Sequence, residues 1–232
     1  MEIKVSDGVF NAYVSRPATI PAPAVIVLQE IFGVNADLRA TCDELGAAGF
    51  IAIAPDLFWR DAPGLDLNTW SETDWKQGLA LYQAYDLDRG VRDVISTIET
   101  ARTIEGGSGK VGVMGFCLGG LMAFMTAARS SVDAAVAYYG GNTDQHLSEA
   151  STLSAPLLMH LGEEDEFISK EAQRKIKAAL AGKPNVEILS YPGCSHAFAR
   201  HRGTHYDAAA ASKANGRTRI FFEQYLGVSR RI

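Results

Sequence analysis

Three residues of reactive type follow one another along the chain, each just behind an apolar run: Cys117, Asp165 and His196. A thiol is a useful nucleophile only as the thiolate, so something must take its proton. A histidine can do so and later return the proton to a leaving oxygen. A carboxylate behind that histidine fixes its tautomer and stabilises the imidazolium that develops. Taken singly, each is unremarkable: Asp165 sits among Glu163, Glu164 and Glu166 as a solvated turn residue would, and His196 shares its stretch with His201 and His205. Taken together, nucleophile, acid and histidine make a set for acyl transfer.

The cysteine has the most specific surroundings. Gly115-Phe116-Cys117-Leu118-Gly119 matches the G-x-S-x-G nucleophile elbow with cysteine in the serine position. The apolar run before it reads as a strand, and Leu121-Met122-Ala123-Phe124 begins a helical pattern. A sharp strand-to-helix turn leaves no room for side chains two residues before and after the nucleophile, hence the glycines. It also sets the thiol at a helix amino end, where the dipole favours a thiolate. The Leu118 amide and the Ile31 amide, in the loop after the first core strand, are the expected oxyanion donors. Glu30 is the odd member, a carboxylate beside Ile31-Phe32 that is costly unless paired. It is either an ion-paired or capping residue, or an acceptor for the thiol proton.

The elements that must hold these residues can be read in turn. Residues 1–16 read as two short antiparallel strands. Ala24–Leu28, Phe50–Ala54, the run before Cys117, Ala134–Tyr139 and Pro156–Leu161 are continuous apolar stretches, the mark of strands buried on both faces. Asn35 looks like a helix cap, with Leu38, Cys42, Leu45 and Ala48 at helical spacing up to Gly49. Leu57–Trp75 reads as a long irregular excursion over the site. Val91, Val94, Ile95, Ile98 and Ala101 stripe a further helix, Ser169–Leu180 a polar one, and Ala211–Leu226 the last, with Ile220, Phe221 and Tyr225 facing inward. Strands alternating with helices predict an α/β fold: a single domain over 1–232, its central sheet mostly parallel, helices on both faces and no separate lid domain.

Composition agrees. The 232 residues are 47% apolar and 21% charged, with a net charge of −5 and no basic cluster, so neither nucleic acid nor an anionic membrane surface is an expected partner. Three cysteines without C-x-x-C spacing suggest neither a disulfide framework nor a zinc site, and no apolar run is long enough to span a membrane. A cytoplasmic protein without metal or organic cofactor is expected, monomeric or homodimeric, its partner a small-molecule lactone or ester.

The chain resembles the dienelactone hydrolase (carboxymethylenebutenolidase) family of α/β-hydrolases over roughly residues 5–225. The resemblance is carried by Gln29-Glu30-Ile31-Phe32-Gly33-Val34-Asn35, Ala54-Pro55-Asp56-Leu57, Gly115-Phe116-Cys117-Leu118-Gly119-Gly120, Tyr138-Tyr139-Gly140 and Gly193-Cys194-Ser195-His196-Ala197-Phe198. It implies an α/β-hydrolase fold, a Cys117-His196-Asp165 triad, and hydrolysis of enol-lactones such as 4-carboxymethylenebut-2-en-4-olide to maleylacetate through a cysteinyl acyl-enzyme. It further implies that Glu30 pairs with the resting thiol and takes its proton when substrate arrives. Of the two arginines that hold the substrate carboxylate in such enzymes, Arg200 falls on one, whereas Trp75 stands at the other. Lys76 or Arg60 are the candidate replacements, although lysine lacks the bidentate fork. Losing one charge-assisted contact of about 1.5–3 kcal/mol weakens binding by roughly one to two decades. Phe32, Trp59, Trp75, Tyr82 and Tyr139 would make the pocket more apolar, which favours a broader carboxylesterase as the second reading. A redox-sensing binding protein that oxidises Cys117 is the third.

Overall fold

Each continuous apolar run folds as a strand covered on both sides. The computed structural model describes residues 1–227 and gathers eight strands into one sheet. In chain order they are β1 (Glu2–Val5), β2 (Gly8–Ser15), β3 (Ala22–Leu28), β4 (Ile51–Pro55), β5 (Gly107–Phe116), β6 (Ala134–Tyr138), β7 (Leu157–Gly162) and β8 (Val186–Tyr191). Across the sheet the order is β1-β2-β4-β3-β5-β6-β7-β8. The first two pairings are antiparallel and the others parallel. Every residue of β3, β4, β6 and β7 is buried, as strands inside a two-sided α/β sheet should be.

Register decides where the chemistry sits. Leu28 lies beside Gly115 and Phe116 beside Tyr138, so the carboxyl ends of β3, β5 and β6 finish level with one another. The loops that follow them therefore meet at one edge, where ligands bind in open parallel sheets.

Among the described residues six α-helices cover the sheet: α1 (Ala36–Ala47), α2 (Glu72–Ala84), α3 (Leu87–Arg102), α4 (Leu118–Arg129), α5 (Lys170–Leu180) and α6 (Ala208–Leu226). Helices α3 and α4 pack against each other, while α1 and α6 flank a groove across the other face. Asn35 and Ser169 cap α1 and α5 by accepting from Leu38 N (3.1 Å) and Ala172 N (3.2 Å). Among the described residues no helix is long and apolar enough to cross a membrane.

Two readings of the sequence are corrected. Helix α6 buries Phe221 and Phe222 but leaves Ile220 half exposed. Its inward stripe runs through Ala214, Thr218 and Phe222 at four-residue steps, which places Ile220 about 200° round the helix from Thr218. The excursion read as irregular through Trp75 also ends at Ser71, because a full helix, α2, begins at Glu72 and runs to Ala84. Within α2 only Gly78 is fully buried, so no apolar stripe announces the helix. The one local sign is Ser71, whose hydroxyl accepts from Asp74 N at 3.3 Å and bonds the Asp74 carboxylate at 3.0 Å. The irregular part before α2 is stitched to the loop after β3. Leu67 N donates to Phe32 O (2.9 Å), Asn35 Nδ2 to Leu67 O (3.3 Å), and Gly33 bridges Asp66.

Candidate active site

Cys117 stands between β5 and α4 with φ 53° and ψ −111°, a left-handed conformation that costs a non-glycine residue of order 1–3 kcal/mol. The backbone around it enforces the strain. Cys117 N donates to Tyr138 O (3.1 Å) and Gly119 N to Gln29 O (3.0 Å). A Cβ at Gly115 would run into the Gly119 backbone, one at Gly119 into Leu28 O, and one at Gly120 into Tyr138 O. The elbow is thus wedged between the ends of β3 and β6, and only glycines fit the wedge. Other strained residues border the same cleft region: Tyr139 (φ 37°), Asn142 (φ 62°) and Ala197 (φ 59°).

Asp165 and His196 come from the loops after β7 and β8. The Asp165 carboxylate is fixed by Phe167 N (2.8 Å) and Ile168 N (3.1 Å) and accepts from His196 Nδ1 at 2.9 and 3.1 Å. The His196 ring, 3% exposed, is wedged between Tyr139 and Phe167, with ring centroids 5.1 and 4.8 Å away. Its Nε2 is buried with no hydrogen-bond partner among the described residues. Burial alone would lower its proton affinity. The Cys117 sulfur as thiolate and the Asp165 carboxylate outweigh that, and the pKa is raised to about 10. The loop is held from outside as well, since His196 N donates to Glu166 Oε2 (3.2 Å) and His205 Nδ1 bonds His196 O (3.2 Å).

The two expected oxyanion donors are placed at the elbow. The Leu118 amide opens α4, the Ile31 amide sits in the loop that receives Gly119, and neither finds an acceptor among the described residues. Ile31 is pressed from above by α2: a Cβ at Gly78 would lie 2.6 Å from Ile31 O. That close approach is why glycine stands at the buried position of α2.

Glu30 is paired differently from what the resemblance implies. Both its oxygens are taken by Arg200, through Nε (2.6 Å) and Nη2 (3.0 Å), and it makes no hydrogen bond to Cys117. A guanidinium fork binds a carboxylate bidentately, whereas a thiol offers one weak donor. Both residues are about nine-tenths buried, and Arg200 lies over Phe32 and Trp75, 5.1 and 5.7 Å from their ring centroids. Burial opposes its charge, but Glu30 outweighs that and holds the guanidinium firmly protonated.

The cleft in front of Cys117 holds about 110 Å3 and is walled by Phe32, Trp75, Leu79, Tyr82, Asn142 and Phe167, with Glu30, Ile31, His196 and Arg200 at its base. Trp75 is fixed by Nε1 donating to Thr69 O (2.7 Å) and stands edge-on to Phe32 at 4.9 Å. Three expectations fail here. Tyr139 is fully buried behind His196 rather than on the cleft wall, because its left-handed backbone turns the ring into the core against Phe116 and Phe198. Trp59 stacks on Phe10 and bonds Asp93, away from the cleft. Neither candidate replacement for the second arginine reaches the site: Arg60 is locked to Asp7 and Asp93, and Lys76 is exposed and paired with Glu72. Asn142 and Phe167, which the sequence reading passed over, complete the wall. The glycine pair before Asn142 and the position of Phe167 two residues after Asp165 were the available signs.

Comparison with known proteins places this geometry. Residues 10–226 match the dienelactone hydrolase family model. The chain is 45% identical over 223 residues to a protein of Azospirillum brasilense named "Putative carboxymethylenebutenolidase", covering 95% of this chain and 96% of that one. It is 39% identical over 218 residues to the carboxymethylenebutenolidase of Pseudomonas putida, covering 94% and 92%. Among solved structures, the "Putative Dienelactone Hydrolase" of Klebsiella pneumoniae superposes with a TM-score of 0.84 at 30% identity, over 97% of this chain and 98% of that one. The chain belongs to the dienelactone hydrolase family and is a carboxylic ester hydrolase.

Proposed function

We propose that the protein opens enol-lactones, the substrate class after which its carboxymethylenebutenolidase relatives are named, through a covalent thioester at Cys117. The observation that carries this reading is the arrangement of His196. Its Nδ1 is bound by Asp165, while its Nε2 is buried, unpartnered and coupled to the charge on Cys117.

In this reading the Cys117 thiolate attacks the lactone carbonyl carbon, and the Leu118 and Ile31 amides take up the negative charge on its oxygen. The ring C–O bond then breaks. The departing enolate oxygen takes the proton from His196 Nε2, leaving a thioester. Water gives a proton to the same nitrogen and adds to the thioester carbonyl, and the C–S bond breaks to return the thiolate. Asp165 holds the imidazole in one tautomer throughout and stabilises its charged form. With the thiol proton already on His196 in this reading, Glu30 has none to take, and its carboxylate serves to hold the Arg200 guanidinium.

A broader esterase activity is favoured by one feature, the apolar wall of Trp75, Leu79 and Phe167, with the one guanidinium among its described lining residues already paired. The test is turnover of 4-carboxymethylenebut-2-en-4-olide beside that of an uncharged aryl ester of similar size, in the native protein and in Cys117→Ala. Both activities should vanish in the folded variant. A Cys117→Ala protein that retains full turnover contradicts the reading, and a strong preference for the uncharged ester selects the esterase alternative.

A further inference from the structure

The wall opposite His196 carries a polar couple that the reaction just described does not use. Tyr82, on α2, accepts a hydrogen bond from Asn142 Nδ2 at 2.7 Å. Asn142 is held in its left-handed conformation after Gly140-Gly141, and its own Oδ1 accepts from Gln145 Nε2 at 3.1 Å. In that arrangement Asn142 turns its N–H to the phenol and its oxygen to Gln145. With Asn142 presenting N–H, the Tyr82 oxygen is used as an acceptor, so its one proton must point elsewhere. Among the described residues that proton has no acceptor. Tyr82 and Asn142 both line the cleft with Cys117.

Burial and then the nearby Cys117 charge both raise the Tyr82 pKa, against the smaller opposite effect of Asn142. Below that raised pKa the phenol is a neutral donor. Around it the wall is apolar, and of the cationic groups lining the cleft among the described residues, His196 is engaged by Asp165 and Arg200 has two of its nitrogens committed to Glu30.

Resting on the reaction proposed above, we infer that Tyr82, oriented by Asn142 and Gln145, is the specificity-determining donor of this cleft. It gives its hydroxyl hydrogen to an oxygen acceptor that the substrate carries away from the scissile carbonyl. The preferred substrate is then a small lactone or ester bearing such an acceptor, recognised by one neutral hydrogen bond from Tyr82 rather than by a second guanidinium. A cleft with one directed donor prefers a substrate that carries the acceptor over an analogue that leaves this half-exposed hydroxyl to water.

The test uses three lactones of matched size: 4-carboxymethylenebut-2-en-4-olide, its methyl ester, and the 4-isobutylidene analogue, in which an isopropyl group replaces the carboxyl. In Tyr82→Phe, kcat/KM should fall about tenfold for the methyl ester and about tenfold to a hundredfold for the carboxylate, chiefly in KM, since the contact exists in ground and transition states alike. The isobutylidene analogue should be unaffected. Asn142→Ala should reproduce the same pattern at about threefold, because the phenol keeps its proton and loses only its orientation. An equal loss on all three lactones would make Tyr82 merely structural and overturn the proposal, as would no loss on any. A loss confined to the carboxylate identifies an anion as the acceptor, and a loss shared with the methyl ester identifies a carbonyl oxygen. Cys117→Ala, measured on the same three substrates, reports separately on the underlying reaction: persistent turnover there contradicts the thioester, whatever Tyr82→Phe does.

Discussion

Two histidines lie inside this molecule, both hidden from solvent, one held protonated and the other neutral. His196 is 3% exposed and His160, on β7, is 0% exposed. His196 faces ions, with Asp165 on Nδ1 and the Cys117 sulfur nearby, and its pKa is raised to about 10. His160 faces hydroxyls. Its Nδ1 meets Tyr191 OH at 2.8 Å and its Nε2 meets Thr218 Oγ1 at 3.0 Å, while Thr218 Oγ1 lies 2.6 Å from Tyr138 OH, which donates to Asn215 Oδ1 at 2.9 Å. The chain of donors has one consistent order. Because Tyr138 spends its proton on Asn215, Thr218 donates to Tyr138 and His160 Nε2 donates to Thr218. Burial pushes the His160 pKa down to about 3, which keeps the ring neutral and leaves Nδ1 to accept from Tyr191. Burial alone does not set the protonation of a histidine; what its two nitrogens meet does.

That contrast can be broken at either ring, and the largest effect belongs to the charged one. Asp165→Asn removes the charge behind His196 and allows the wrong tautomer; kcat should fall about a thousandfold with the fold intact. Steady-state kinetics beside circular dichroism check this. Next, Cys117→Ala removes the charge that contributes most to raising the imidazole, and histidine NMR titration should find the His196 pKa well below the native value of about 10. An unchanged titration would show that Cys117 is not its partner.

At His160 the effect is on stability. A histidine whose pKa is depressed in the fold, here from about 6.5 to about 3, takes up a proton on unfolding. Its contribution is intact above pH 6.5 and is lost as pH falls towards 3, with a slope of up to about 1.4 kcal/mol per pH unit. Denaturant titrations across this window should show a steeper acid loss in the native protein than in His160→Gln. Smallest of all, Tyr191→Phe deletes the donor to His160 Nδ1 and should cost about 1–3 kcal/mol of stability while leaving turnover unchanged.

The same two histidines mark how far the sequence could be read. His196 was legible because its neighbours carry a motif and because the elbow at Cys117 imposes glycines at fixed spacing. His160 was not, since it interrupts an otherwise apolar strand and its partners arrive from Tyr191 and Thr218, 31 and 58 residues further on. The same limit hid the Glu30–Arg200 pair, which joins residues 170 apart. The parallel strands were readable because two-sided burial leaves continuous apolar runs. Helix α2 was missed for the opposite reason: it covers the cleft with Trp75 and Tyr82 half exposed and buries only Gly78, so no periodic apolar face betrays it. Cys117, Asp165 and His196, the groups proposed to react, stand at the ends of rigid strands and in turns fixed by backbone contacts, which sequence spacing encodes. Trp75 and Tyr82, proposed to face the substrate, stand on a lightly packed helix, which it does not.

The central claim, that Cys117 is the acylated nucleophile, is tested most directly by acid-quenching a reaction with 4-carboxymethylenebut-2-en-4-olide and analysing the protein by mass spectrometry. Ring opening expels no separate fragment, so the account predicts that the peptide carrying Cys117 gains the full mass of the lactone, with the adduct accumulating further in Asp165→Asn. Undiminished turnover with Cys117 unmodified, or an adduct on any other residue, would contradict it.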